Sequence, residues 1–191
     1  MSEVLLTAAG VLATLAPLAL VPGFLALPQE PAEGPRSRLL AFALGAAAVA
    51  FAVAILLTDV FLGALDVAPE SFQSAAAVIM VPLAAQLLWT GRSLDPGARV
   101  TGRPWLMPLA VPGLVGPASL AAVVAYTGRY GEADAAAGTL IALAVAAVVL
   151  LASGRLRGLT GDFALGILGR LSGAFIVVIA LDLVVDGVRS V

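Results

Sequence analysis

The chain has no cysteine and no histidine among its 191 residues, and all ten of its basic residues are arginine. Without cysteine there is no disulfide, no thiol relay and no thiolate metal site. Without histidine, a zinc centre lacks its usual nitrogen ligand. Lysine is missing too, and no pair of carboxylates lies deep in an apolar run, so the common nucleophiles and metal-binding sets are unrepresented. The expectation is a protein that is not an enzyme and holds no metal and no cofactor. Charge is also scarce: 12% of residues carry one, the net charge is −2, and no basic cluster exists to hold nucleic acid. The first residues, Met1-Ser2-Glu3, lack a positive stretch, and no clear small-residue cleavage site follows, so the first apolar run reads as a retained span.

What the chain does have is hydrocarbon. Apolar residues make up 61% of it and its mean hydropathy is +1.09, the composition of a polytopic membrane protein whose partner is the lipid bilayer. Six runs approach the length of about 20 apolar residues that crosses a bilayer: residues 4–27, 39–58, 74–90, 104–126, 135–153 and 164–188. The fold class expected is all-α, one transmembrane domain over 1–191. The loops after spans one, three and five hold Arg36, Arg38, Arg92, Arg99, Arg103, Arg155 and Arg157, with Arg170 at the edge of span six. The other side has only Arg129 and Arg189. The positive-inside rule then places both termini outside and those three loops in the cytoplasm of a cell with an inner membrane. Trp89 and Trp105 fall at the inner boundary and Tyr126 and Tyr130 at the outer one, as interfacial aromatics do.

Span four is broken by composition. Pro108, Pro112, Gly113, Gly116 and Pro117 interrupt it, and each proline deletes a backbone donor and crowds the preceding turn. In hydrocarbon the freed carbonyls need partners within the protein or in a water-lined cavity. Span one has a counterpart: Pro17 and Pro22 are five apart, as are Pro112 and Pro117, at an offset of 95. The ends of spans three and six also match, with Gln86 over Asp182 and Gly91 over Gly187 at an offset of 96. Three spans per half make this an inverted-topology repeat, 3+3, with halves at about residues 1–91 and 104–191 and interrupted helices one and four lining a central site.

The candidate substrate-binding residues are therefore Thr14, Pro17, Pro22, Gly23, Pro112, Gly113, Gly116, Pro117 and Ser119. Each has a plainer reading. Prolines kink membrane helices without further purpose, glycines let helices approach, and hydroxyls bond their own helix backbone. The paired spacing favours function for the prolines, and for the hydroxyls the plainer reading leads. Asp182 is the one acid well inside an apolar run and is the candidate for proton coupling, with Gln86 as its polar repeat mate. Its plainer reading is an outer-vestibule carboxylate paired with Arg189. Small residues such as Ala41 and Gly45 offer a homodimer face.

The stretch Pro108-Leu-Ala-Val-Pro112-x-Leu-x-Gly116-Pro117 resembles the fourth-span signature of the MarC/SnatA-type family of six-span membrane proteins, grouped with LysE-type exporters. Phe24-Leu-Ala-Leu27 after Pro17 and Pro22, Arg170-Leu-Ser-Gly173 and Asp186-Gly187 fit the same pattern, which covers nearly the whole chain. The resemblance implies a transporter or exporter of small neutral amino acids or similar metabolites, working by alternating access. The chain departs from that pattern at Ala16, where Asn or Asp is usual, and at Ala118, Ala121 and Ala122, where glycine and threonines are common. The other reading is a membrane scaffold of the same fold, in which the prolines only shape packing.

Overall fold

The computed structural model describes residues 2–27, 35–94 and 105–189. The segments 28–34 and 95–104, with Arg99 and Arg103 of the orientation argument, lie outside the described residues, as does the side chain of Trp105.

Pro17 cuts the first span in two. Helix α1 (Ser2–Leu15) stops, Ala16 turns into the left-handed region (φ 42°, ψ 56°), and α2 (Pro17–Ala26) starts with its proline in the first turn. That is where a missing N–H costs nothing, because the first donors of a helix have no partner within it. Helix α3 (Arg36–Ala64) is long and uninterrupted, and α4 (Pro69–Thr90) contains Pro82 and ends on Gly91 in the left-handed conformation. Span four opens as a π-helical segment, Trp105–Leu114, in which the Val115 N–H donates to the Ala110 carbonyl five residues back at 2.7 Å. The wide turn accommodates Pro108 and Pro112, whose rings would crowd a carbonyl four residues back in an α-helix. After Val115 and Gly116 the chain bends by 50° into α5 (Pro117–Tyr130). Helix α6 (Glu132–Leu151) is regular, and α7 (Ser153–Arg189) is kinked at Gly161 before its membrane-length portion.

Taking each interrupted pair as one span, six spans among the described residues are long and apolar enough to cross a membrane, at boundaries close to those expected. The element ends differ where polar residues proved compatible with helix: Glu70 and Gln73 belong to the start of α4 instead of a loop, and α3 continues past Asp59 as far as Ala64. Outward faces are apolar, as in Val49, Val53, Leu56 and Val60 of α3 and Phe175, Val178, Leu181 and Val185 of α7. Apolar side chains on the outside suit a protein whose solvent is lipid.

Small residues draw α4 and α7 together. Along α7 the buried positions Leu165, Gly169, Gly173, Ile176, Ala180, Leu183 and Gly187 recur at three- and four-residue steps and form one stripe. A Cβ at Gly169 would overlap the Gly91 carbonyl, and one at Gly173 would lie 2.9 Å from the Leu87 Cβ. Span one packs chiefly on α6, and span four on α3; α2 also meets α7, as α5 meets α4. Exchanging spans one to three with four to six reproduces this set of neighbours.

The paired prolines do not correspond as their spacing implied. The second half-helix begins at Pro17 in span one but at Pro117, not Pro112, in span four. Pro112 is absorbed by the π-turn and Pro22 by the interior of α2, so which proline marks a break depends on the turn that precedes it. Gly91 and Gly187 differ likewise: the first terminates α4, and the second is a packing glycine within α7, against Ser74 and the Glu70 carbonyl.

Candidate functional site

A cavity of about 440 Å³ lies where span four breaks. Thr14 of α1, Pro112 and Gly113 of the π-segment, and Gly116 to Ser119 at the start of α5 line one side. Ile79, Pro82, Leu83 and Gln86 of α4, with Ser93 just beyond it, line the other. Among the described residues no charged side chain lines it. Among the described residues no group of acids could hold a metal ion.

The break determines the polarity of the cavity wall. The Gly116 N–H donates to the Ser119 hydroxyl oxygen at 2.9 Å, and that hydroxyl donates to the Leu114 carbonyl at 2.8 Å. Pro117 has no N–H. The Pro112 carbonyl thereby loses both its α-type donor, Gly116, and its π-type donor, Pro117; the Gly113 carbonyl loses its α-type donor, Pro117. On the other side of the bend, the N–H groups of Ala118 and Ser119 belong to the first turn of α5, which has no intrahelical acceptors for them. The same wall thus presents backbone acceptors and, at the positive end of a helix dipole, backbone donors.

The side chains are more committed. The Thr14 hydroxyl donates to the Val11 carbonyl at 2.8 Å within its own helix. The Gln86 amide donates to the carbonyls of Arg92 and Ser93 at 3.2 and 3.1 Å, and the Thr90 hydroxyl lies 2.8 Å from the Gln86 carbonyl and 3.0 Å from that of Arg92. These bonds fold the chain after α4 back toward span one, where the Ser93 N–H donates to the Ala19 carbonyl at 3.3 Å.

Of the expected residues, Thr14, Gln86, Pro112, Gly113, Gly116, Pro117 and Ser119 meet at this cavity. Pro17, Pro22 and Gly23 do not line it. Pro17 is buried at the start of α2, Pro22 is half-buried in that helix, and Gly23 provides the space for Leu94, whose Cβ lies 2.5 Å from where a glycine Cβ would be. The cavity accordingly falls between span four and α4, with span one contributing Thr14, instead of lying symmetrically between spans one and four. Asp182 is elsewhere. Its side chain is 61% exposed and sits 3.4 Å from Arg129, which also pairs with Asp186, closer to the plainer reading of a paired surface carboxylate than to a proton carrier buried in span six. The expected partner, Arg189, lines the same depression as Arg129 and Asp186. Gln86 and Asp182 are therefore not equivalent in place. Sequence reasoning missed Pro82, Ser93 and the α4 face; the proline in span three was the one available signal.

Comparison with known proteins agrees with this architecture. The profile of the family described as "MarC family integral membrane protein" matches residues 1–191. The chain is 23% identical over 192 aligned positions to the UPF0056 inner membrane protein YhgN of Escherichia coli strain K12, covering 99% of this chain and 98% of that one. It is 25% identical over 128 residues to a UPF0056 membrane protein of Buchnera aphidicola, 66% of this chain and 65% of that one. No solved structure matches.

Proposed function

The chain belongs to the MarC family of integral membrane proteins, and from that premise we propose that it transports small neutral solutes, neutral amino acids above all, by alternating access. The observation that carries the proposal is the cavity at the span-four break: about 440 Å³, uncharged among the described residues, and walled by backbone acceptors and donors a few residues apart. Binding cavities for small molecules run from about 300 to 1,000 Å³. A zwitterion has no net charge but carries both signs. The start of α5 suits its carboxylate, and the Pro112 carbonyl, which the break leaves without its α-type and π-type donors, suits its ammonium. Half-helix ends recognise the solute here without a formal charge in the membrane.

The exchange-related packing supports two inverted halves that rock against each other, with α4 and α7 meeting between them. The cavity runs from the span-four break toward the arginine-rich end of α4, which the positive-inside rule assigns to the cytoplasm, so this form reads as inward-facing. The Arg129 pairs with Asp182 and Asp186 hold spans four and six together at the opposite end. They make Asp182 part of a closed outer face, and proton coupling through it loses its main support. The exposed Ala41 and Gly45 of α3 leave room for a homodimer.

The rival is a non-transporting scaffold, favoured by the engagement of Thr14 and Ser119 with their own backbone. A thermal-shift screen of the purified protein against amino acids and related metabolites separates the two. Transport predicts a concentration-dependent rise in melting temperature for a small set of neutral amino acids. A flat response across the panel favours the scaffold.

A further inference from the structure

We infer that Ser93, in the turn after α4, is a substrate-contacting residue of the cavity, selecting solutes that can hydrogen-bond its hydroxyl. The inference rests on the transport reading above and goes beyond it by naming a contact.

Among the described residues, four side chains at this cavity carry polar atoms: Thr14, Gln86, Ser93 and Ser119. The hydroxyls of Thr14 and Ser119 and the amide nitrogen of Gln86 already have backbone partners. The Ser93 hydroxyl oxygen is buried and has none. An unsatisfied buried hydroxyl is costly and gains most from an incoming partner. Its placement is also built with care. The backbone of Ser93 is tied to α2 through Ala19 and to α4 through Gln86. Its neighbour Leu94, 4% exposed, wedges between Gly23 of α2 and Gly113 of the π-segment, where a Cβ would lie 2.5 Å and 2.9 Å from it respectively. Those two glycines therefore admit the wedge that holds Ser93 at the cavity. A hydroxyl fixed by three elements and left unpaired is a specificity contact.

The absence of cysteine makes the test clean, since Ser93→Cys introduces a unique thiol. The full-length protein in proteoliposomes is assayed with L-alanine and L-serine, then alkylated with N-ethylmaleimide with and without the transported amino acid at saturation. The expected result is alkylation that the amino acid slows severalfold. Ser93→Ala should raise KM about fivefold, the ratio for a hydrogen bond of about 1 kcal/mol, at similar maximal velocity, and Ser93→Thr should restore it. A thiol that reacts equally in both conditions, or in neither, overturns the inference, as does an unchanged KM in Ser93→Ala. A wild-type protein that carries neither amino acid overturns the transport reading itself, and the Ser93 contact with it.

Discussion

Ala16 holds a Cβ in the left-handed region, at φ 42°, between two half-helices. That conformation costs an L-residue about 1–2 kcal/mol. Glycine adopts it freely, with about 0.5–1 kcal/mol lost to extra unfolded-chain entropy. Ala16→Gly should therefore change stability by less than about 1 kcal/mol, because the relieved conformation is offset by chain entropy and by the loss of a buried methyl, read as a nearly unchanged melting temperature in detergent. Ala16→Val should lower it, because a branched Cβ is worse placed there. The family-like pattern expects Asn or Asp at this position, and those are the other residues that tolerate the left-handed region. The departure at Ala16 was thus visible in the sequence, but its meaning was conformational and needed the backbone. Ser93 was less legible still. Nothing in its neighbours marks it, because its value comes from α2 and α4 meeting it from distant parts of the chain.

At the scale of elements, the reading of broken spans succeeded where chemistry is local and failed where packing decides. Prolines with glycines inside an apolar run announce an interruption, and span four has one, with Pro112, Gly113, Gly116 and Pro117 at the cavity. Gly23 looked the same in sequence, yet it serves to admit Leu94. Contact of this kind distinguishes the glycines of α7 as well. A side chain at Gly169 must displace the backbone of Gly91, whereas Gly45 of α3 has nothing within 4 Å. Gly169→Leu is expected to destabilise the fold by about 3 kcal/mol, the upper end of what overpacking costs when it forces backbone shifts. Gly45→Leu should leave the melting temperature nearly unchanged if α3 faces lipid there. Similar melting temperatures for the two variants would contradict the tight α4–α7 crossing.

Among the described residues the molecule is a bundle with up to six membrane-length spans, its outward faces apolar, its cavity toward one end and the Arg129 pairs with Asp182 and Asp186 toward the other. The orientation assigned from arginine placement has a direct check in single cysteines. Glu132→Cys, at the start of α6, should react with a membrane-impermeant thiol reagent on intact cells, and Ser37→Cys, at the start of α3, should not; the reverse pattern inverts the topology. Span count and boundaries were readable from hydropathy because the bilayer imposes one length on every crossing. The position of the cavity was only half readable, because which elements meet around a break depends on packing that periodicity does not encode. The central claim is that this cavity carries a small neutral solute across the membrane. Uptake of radiolabelled L-alanine into proteoliposomes tests it most directly, comparing wild type with Leu83→Trp, whose ring would occupy the cavity. Saturable uptake by the wild type that Leu83→Trp abolishes, while the variant remains folded, is the predicted result; uptake equal to that of protein-free liposomes, or unaffected by Leu83→Trp, would contradict it.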